Sequence, residues 1–364
     1  MRTEALKNYR QKSLIMINRD NWKAVNKYLK YRLEVDQVSN QTQRLEKTWL
    51  RHLLEWADDT DFSKVSKIRP TFPKYMISGR MDNTGKPLSK NYLKKVIGCA
   101  RNFLEWLSKH QSGYSTIRAS YLDTLQTPRM ETKPKKREIV TLEEAVALAH
   151  APTETLRDER IQAASAFWFL SGIRVGAFVT LPIKAVDIEN RQVKIWPSLG
   201  VKAKSGKYRK AFLLEIPELI AVVEAWDDKV RKNLTQDHFW FANFSPTTRD
   251  FDPALKEAGK YRADRARKDL KKFSGKVGIP YHSPHKFRHG HAVYGLKRVD
   301  DISELKAVSQ NLGHASISTT DQIYSILSKD DVKETITGIS QAVPKQPQNS
   351  EEGKLKRIRK ILDE

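Results

Sequence analysis

The sequence predicts a mainly α fold with a small antiparallel β-sheet: a helical N-terminal domain followed by an α+β domain. Three observations lead there. Apolar residues recur at helical spacing through the first third of the chain. Residues 127–137 then break all periodicity with two prolines and five basic residues, the composition of an extended, partly stiff linker. Beyond it, two short strand-like runs sit among further helical segments. At 364 residues the chain is long enough for two domains with a proper core in each. The expected division is 1–126, a basic linker at 127–137, a second domain at 138–340 and a tail at 341–364.

The elements follow in order. Helices are expected over 18–35, over 42–57 with Leu45, Trp49, Leu53 and Trp56 on one face, and over 88–110. In the last of these, Tyr92, Val96, Cys99, Phe103 and Leu107 form one stripe, with Lys90, Lys94, Lys95 and Arg101 off it. Ser39 and Ser89 are the expected N-caps. The run 82–87 (Asp-Asn-Thr-Gly-Lys-Pro) is a turn signal. Thr141-Leu142-Glu143-Glu144 spells a capping box that opens the second domain. Residues 160–171 read as an apolar helix ending at Gly172. Strands are expected at 193–196 and 210–216, joined by a turn region at 202–209. Residues 252–276 carry nine basic and four acidic residues and read as one basic helix. Residues 341–350 are Pro/Gln-rich, and Leu355, Ile358, Ile361 and Leu362 form a short amphipathic segment.

With 66 Lys and Arg against 43 Asp and Glu, the formal net charge is +23. A surplus of that size calls for a polyanionic partner, nucleic acid or an acidic membrane surface. The longest apolar runs are too short to span a bilayer, and the first ten residues lack the apolar core of a signal peptide. The single cysteine, Cys99, allows no internal disulfide and falls on an apolar stripe, as a small core residue would. The expectation is an intracellular protein, cytoplasmic and nucleoid-associated.

Four stretches of the second domain carry chemistry. Gly172-Ile173-Arg174 follows the apolar helix, where a fixed backbone would aim the guanidinium into a cleft. Residues 203–209 (Ala-Lys-Ser-Gly-Lys-Tyr-Arg) form a basic hairpin tip containing Lys204. His285-x-x-Arg288 follows Pro284, so the two side chains share a helix face. Leu312-Gly313-His314 is followed by Tyr324. No carboxylate or cysteine accompanies His285, His289 and His291 at a metal-ligand spacing, so no metal or other cofactor is expected. Each stretch alone is ordinary: a solvated turn, a surface arginine, a core tyrosine.

Together, and in this order, they resemble the catalytic domain of the tyrosine recombinases, the phage-integrase family. The resemblance covers residues 138–328 and extends more loosely to the N-terminal helices, which are similar to the family's SAM-like core-binding domain. It implies that Tyr324 attacks a DNA phosphate to form a 3′-phosphotyrosyl bond, with Arg174 and Arg288 on the non-bridging oxygens. It also implies that Lys204 is the general acid toward the 5′ oxygen, that His285 exchanges a proton with Tyr324, and that His314 donates a hydrogen bond to the phosphate. Lys202, Lys207 and Lys210 stand close to Lys204 and compete for its role. The implied partners are double-stranded DNA and three further copies of the chain, a homo-tetramer on two DNA sites; a mobile-element role, by integration, excision or transposition, fits the long N-terminus and tail. Two other readings share part of the pattern. A type IB topoisomerase uses the same chemistry to relax DNA, and a catalytically silent DNA-binding protein has the charge without the cleavage.

Overall fold

The computed structural model describes residues 16–82, 84–127, 138–203, 206–299 and 301–314. The chain divides into two compact units, Met1–Pro134 and Lys135–Glu364. Residues 128–137 of the expected linker, Lys204, Tyr324 and the tail lie outside the described residues.

The first unit is helical. Helices α1 (Arg19–Glu34), α2 (Asn40–Ala57), α3 (Phe72–Ser78), α4 (Lys90–His110) and α5 (Ala119–Leu122) enclose one apolar core, with a 3-10 turn at Phe62–Lys67. Ser39 and Ser89 cap where expected, accepting from Thr42 N and Tyr92 N; Asn18, expected inside the first helix, caps it instead, accepting from Asp20 and Asn21 N. Each satisfies a backbone donor that the first helical turn leaves open. The α4 stripe behaves as expected, with Val96, Cys99, Phe103 and Leu107 buried. On α2 the inward face is rotated from the expected one. Glu46, Leu50, Leu53, Leu54 and Trp56 turn inward while Leu45 stays exposed. An ion pair explains the rotation: Arg32 of α1 grips Glu46 at 2.8 Å, drawing a charged residue to the seam that apolar spacing alone would give to Leu45.

The second unit is built around α7 (Leu156–Ser171), which packs against α6 (Leu142–Ala149), α9 (Pro217–Asn233), α10 (Arg262–Lys276) and α11 (Pro284–Leu296). From Arg160 to Ser171 almost every residue of α7 is buried, as an all-round apolar helix requires. Phe167 and Trp168 join Phe178 and Trp240 in an aromatic cluster with ring centroids 4.8 to 5.7 Å apart. The one charge on this stretch, Arg160, is matched by Asp269 of α10 at 2.8 Å and lies over the Phe241 ring at 4.1 Å. Burial pushes its pKa down to about 9. The capping box of Thr141 and Glu144 is formed. At Gly290 of α11 an added Cβ would stand 2.1 Å from Val140 O, so the helix meets the entering chain at a distance only glycine permits.

The sheet is antiparallel, order β1-β2-β3: β1 (Val186–Asp187), β2 (Gln192–Ile195) and β3 (Arg209–Phe212), with Ile195 opposite Arg209. β3 is shorter than the expected 210–216 because the chain leaves the ladder after Phe212, and Leu214 N bonds to Leu170 O of α7 instead. The expected basic helix at 252–276 is also shorter. Asp252 folds residues 252–255 into a turn, its side chain accepting from Ala254 N at 3.0 Å, and α10 starts only at Arg262. Arg262 then turns into its own unit, donating to Val179 O at 2.8 Å and Phe241 O at 2.5 Å. Arg265, Lys268, Lys271 and Lys272 remain on the solvent side. Helices α8 (Val175–Phe178) and α12 (Ile302–Leu312) complete the unit. No helix among the described residues is long and apolar enough to cross a membrane.

Candidate active site

The residues of interest come from three separated segments that backbone geometry brings together. α7 ends at Gly172 in the left-handed region, φ +59°, and a Cβ there would stand 2.7 Å from Leu312 Cδ2 and 2.8 Å from His291 Cδ2. A glycine is therefore required both by its φ and by the close approach of α11 and α12. Ile173, fully buried, anchors the next step, and Arg174 caps α8 with its side chain half-buried. α12 ends at a second left-handed glycine, Gly313 at φ +64°, which presents His314.

On α11, Pro284 sits in the first turn, and His285, Arg288 and His291 follow at intervals of three along one face. Arg288, 3% exposed, donates Nη1 to Gly172 O at 2.5 Å and Nη2 to Leu312 O at 2.6 Å. It thereby ties the two glycine turns together and keeps three of its five N–H donors. His291, buried deeper, bonds through Nδ1 to Phe169 O at 2.8 Å. A carbonyl only accepts, so Nδ1 carries the proton, and Nε2 accepts from Asn311 Nδ2 at 3.3 Å.

Asn311 connects this face to the sheet. Its side chain takes both backbone groups of Phe212, accepting from N at 2.7 Å and donating to O at 3.1 Å. Its own carbonyl accepts from Arg209 Nη1 at 2.7 Å. The α12 end, and with it His314, is thus held against the edge of β3.

Arg174, Arg209, His285 and His314 line one cavity of about 980 Å³, with Lys202, Lys207 and Arg267 also on its wall. No Asp or Glu lines it among the described residues. The electrostatics follow from that imbalance. Arg288 is pushed down to about 9 by burial and then by Arg174 and Arg209, and Arg209 to about 10 by burial and then by Arg174. Burial lowers Arg174 too. His314 is pushed down to about 4 by burial and the three arginines. His285, exposed at the mouth, is also lowered, by partial desolvation and then by Arg288 and Arg174. Each positive group disfavours its neighbours' charge, and an anion in the cavity would relieve them all. Among the described residues no group of three or more His, Cys, Asp or Glu is placed to hold a metal ion.

Of the expected site residues, Arg174, His285 and His314 face the cavity and Arg288 lies beneath it. Lys204 and Tyr324 lie outside the described residues. Arg209 and His291 stand in the quoted stretches without a catalytic role, and Asn311 stands just before one. Nothing local marks them, because their partners are 20 to 122 positions away in sequence.

Full burial should make His291 one source of acid sensitivity in this unit. Its pKa is pushed from 6.5 to about 4 by full burial. Between those values the unfolded chain binds a proton that the folded chain refuses, so stability falls as pH falls. The loss approaches about 1.4 kcal/mol per pH unit from this group. Urea unfolding at pH 7 and pH 5 should show a smaller difference for His291→Gln than for the parent; equal differences would show that His291 is not the sensitive group.

A sequence model of the phage integrase family matches residues 138–330. The chain is 27% identical over 238 residues to tyrosine recombinase XerC of Natranaerobius thermophilus, across 65% of this chain and 73% of that protein. It is 28% identical to XerC of Herpetosiphon aurantiacus, across 63% and 67%. Among solved structures, a lambda integrase dimer bound to a COC′ core site aligns with a TM-score of 0.54 at 15% identity, covering 83% of this chain and 76% of that one. The Tn1549 transposon integrase in complex with circular intermediate DNA aligns at 0.52 and 15%, covering 87% and 99%. At such identity these structures speak for the fold.

Proposed function

The chain belongs to the phage integrase family, and from that premise we propose that it cuts and rejoins double-stranded DNA at specific sites through a covalent bond to Tyr324. The observation that carries this is the convergence of Arg174, His285 and His314, from three distant segments, on one cavity that no described carboxylate lines, with Arg288 beneath it tying the two glycine turns. A net charge of +23 supports a DNA partner.

In this proposal the Tyr324 phenol oxygen forms a bond to phosphorus as the bond from phosphorus to the 5′ oxygen breaks. His285, neutral at pH 7 because its pKa is lowered, takes the phenolic proton. Lys204 supplies the proton to the leaving 5′ oxygen. Arg174 and the remaining N–H donors of Arg288 hold the non-bridging oxygens, where guanidinium suits because it stays charged and binds phosphate in a fork. His314 adds a hydrogen bond. Each bond broken is replaced by one of the same kind, so a free 5′ hydroxyl reverses the step without ATP and without a cofactor. Residues 1–126 hold the duplex by its phosphates, residues 138–340 do the chemistry, and four copies act on two sites. The product is recombined DNA, in the service of a mobile element.

The test uses a duplex nicked close to the cleavage point, so that the short cut fragment escapes. The expected result is an SDS-resistant adduct on the 3′ phosphate at the break. No adduct from any member of a randomised nicked pool would overturn the proposal. Relaxation of a plasmid lacking such a site, with no exchange between sites, would turn it toward a topoisomerase.

The lysine has its own test. Lys204→Ala should slow adduct formation by about 10²–10⁴-fold, the usual worth of a general acid. A 5′-bridging phosphorothiolate, whose leaving group needs little proton help, should restore the rate. Restoration for Lys207→Ala alone would move the role to Lys207.

A further inference from the structure

We infer that Arg209 is a third arginine on the phosphate under attack, placed on the β3 side of the cavity to meet a non-bridging oxygen. This deepens the recombinase proposal and rests on it.

Three observations lead to Arg209. It lines the cavity, whereas Arg288 is 3% exposed and gives both terminal nitrogens to backbone carbonyls. Arg209 thus brings a guanidinium to the cavity wall from the sheet, beside that of Arg174. Its side chain is held rather than loose: Nη1 donates to Asn311 O at 2.7 Å, and the chain packs under Gly313, where an added Cβ would stand 2.9 Å from its Cδ and Nε. Gly313 thus leaves room for this arginine directly beside His314. Finally, no described carboxylate pairs with Arg209, whereas the buried Arg160 is matched by Asp269. A half-buried guanidinium with one carbonyl bond has four N–H donors left, a fork suited to an oxyanion.

A purely structural role is the competing account, since Arg209 also links β3 to the end of α12. The two separate on the charge of the phosphate. A nicked duplex that the unaltered chain captures from a randomised pool is remade with a methylphosphonate at the cleaved position, which replaces one charged oxygen by a methyl group. Arg209→Ala is expected to slow adduct formation by about 10²–10³-fold on the phosphodiester. On the neutral methylphosphonate the deficit should shrink to within about tenfold, because the charge that Arg209 offsets is gone. Both rates come from one preparation, so lost folded protein cancels in their ratio. Equal deficits on the two duplexes would overturn the inference and leave the recombinase proposal standing. If Arg209→Ala captures neither duplex, Arg209→Lys decides by the same comparison, with a larger loss expected on the phosphodiester and equal losses overturning the assignment. If the unaltered chain captures nothing, the recombinase proposal falls and this inference with it.

Discussion

Tyr324→Phe should bind its DNA site with nearly unchanged affinity and form no covalent adduct at all. The substitution removes one oxygen. Affinity for DNA is carried by many phosphate contacts, and the chain has 66 basic residues from which to draw them, so loss of one hydroxyl is small beside that total. Chemistry, by contrast, has no substitute nucleophile. No other tyrosine lies between His314 and Ser340, so a neighbour cannot take over. A gel shift should therefore look like the parent's while SDS gels of the nicked duplex show no adduct. Adduct formation at the parent's rate would end the assignment of Tyr324.

Arg288→Ala should lose both rate and stability, whereas Arg174→Ala should lose rate alone. The difference follows from what each guanidinium holds. Arg288 donates to Gly172 O and Leu312 O inside the fold, so its removal strands two buried carbonyls at about 1–3 kcal/mol each. In a domain of this size each kcal/mol lowers the melting midpoint by about 2–4 °C. The two glycine turns also lose their common tie, which would move Arg174 and His314 together. Arg174 donates to no described residue and is half-buried, so its removal strands nothing, and stability should change by no more than about 0.5 kcal/mol. Its loss should still cost about 10²–10³-fold in adduct formation, the worth of one preorganised donor at a developing charge. Thermal melts and single-turnover rates of the two variants check this together. Equal melting points would show that the carbonyl bonds of Arg288 contribute little.

Much of the local structure was legible. Ser39, Ser89 and Thr141 announce helix starts because a side-chain oxygen near an open N–H works within three residues. The stripe on α4 was legible for the same reason of short range, as was the end of α7 at Gly172. The failures have long-range causes. Apolar spacing puts Leu45 inward because it sees no partner, whereas Arg32 supplies Glu46 with one from another helix. Charge counts read 252–276 as one helix because they do not register the Asp252 turn or the destination of Arg262, whose acceptors lie on Val179 and Phe241.

The site divides along the same line. The sequence by itself determined the chemical inventory and its order: Arg174, His285 with Arg288, and His314 stand in a pattern that marks a family, and the family model covers residues 138–330. A pattern of residue types at set separations is a one-dimensional property, and it needs no coordinates. Only the tertiary structure decided what each group does with its remaining bonds. It spends Arg288 on two carbonyls, leaves Arg174 unbonded to any described residue, turns Asn311 into a rung between α12 and β3, and brings Arg209 to the cavity wall. Those outcomes depend on which backbone groups meet across separations of about a hundred residues. Hydrogen bonds and desolvation act over a few ångströms of space, and no interval counted along the chain encodes that distance.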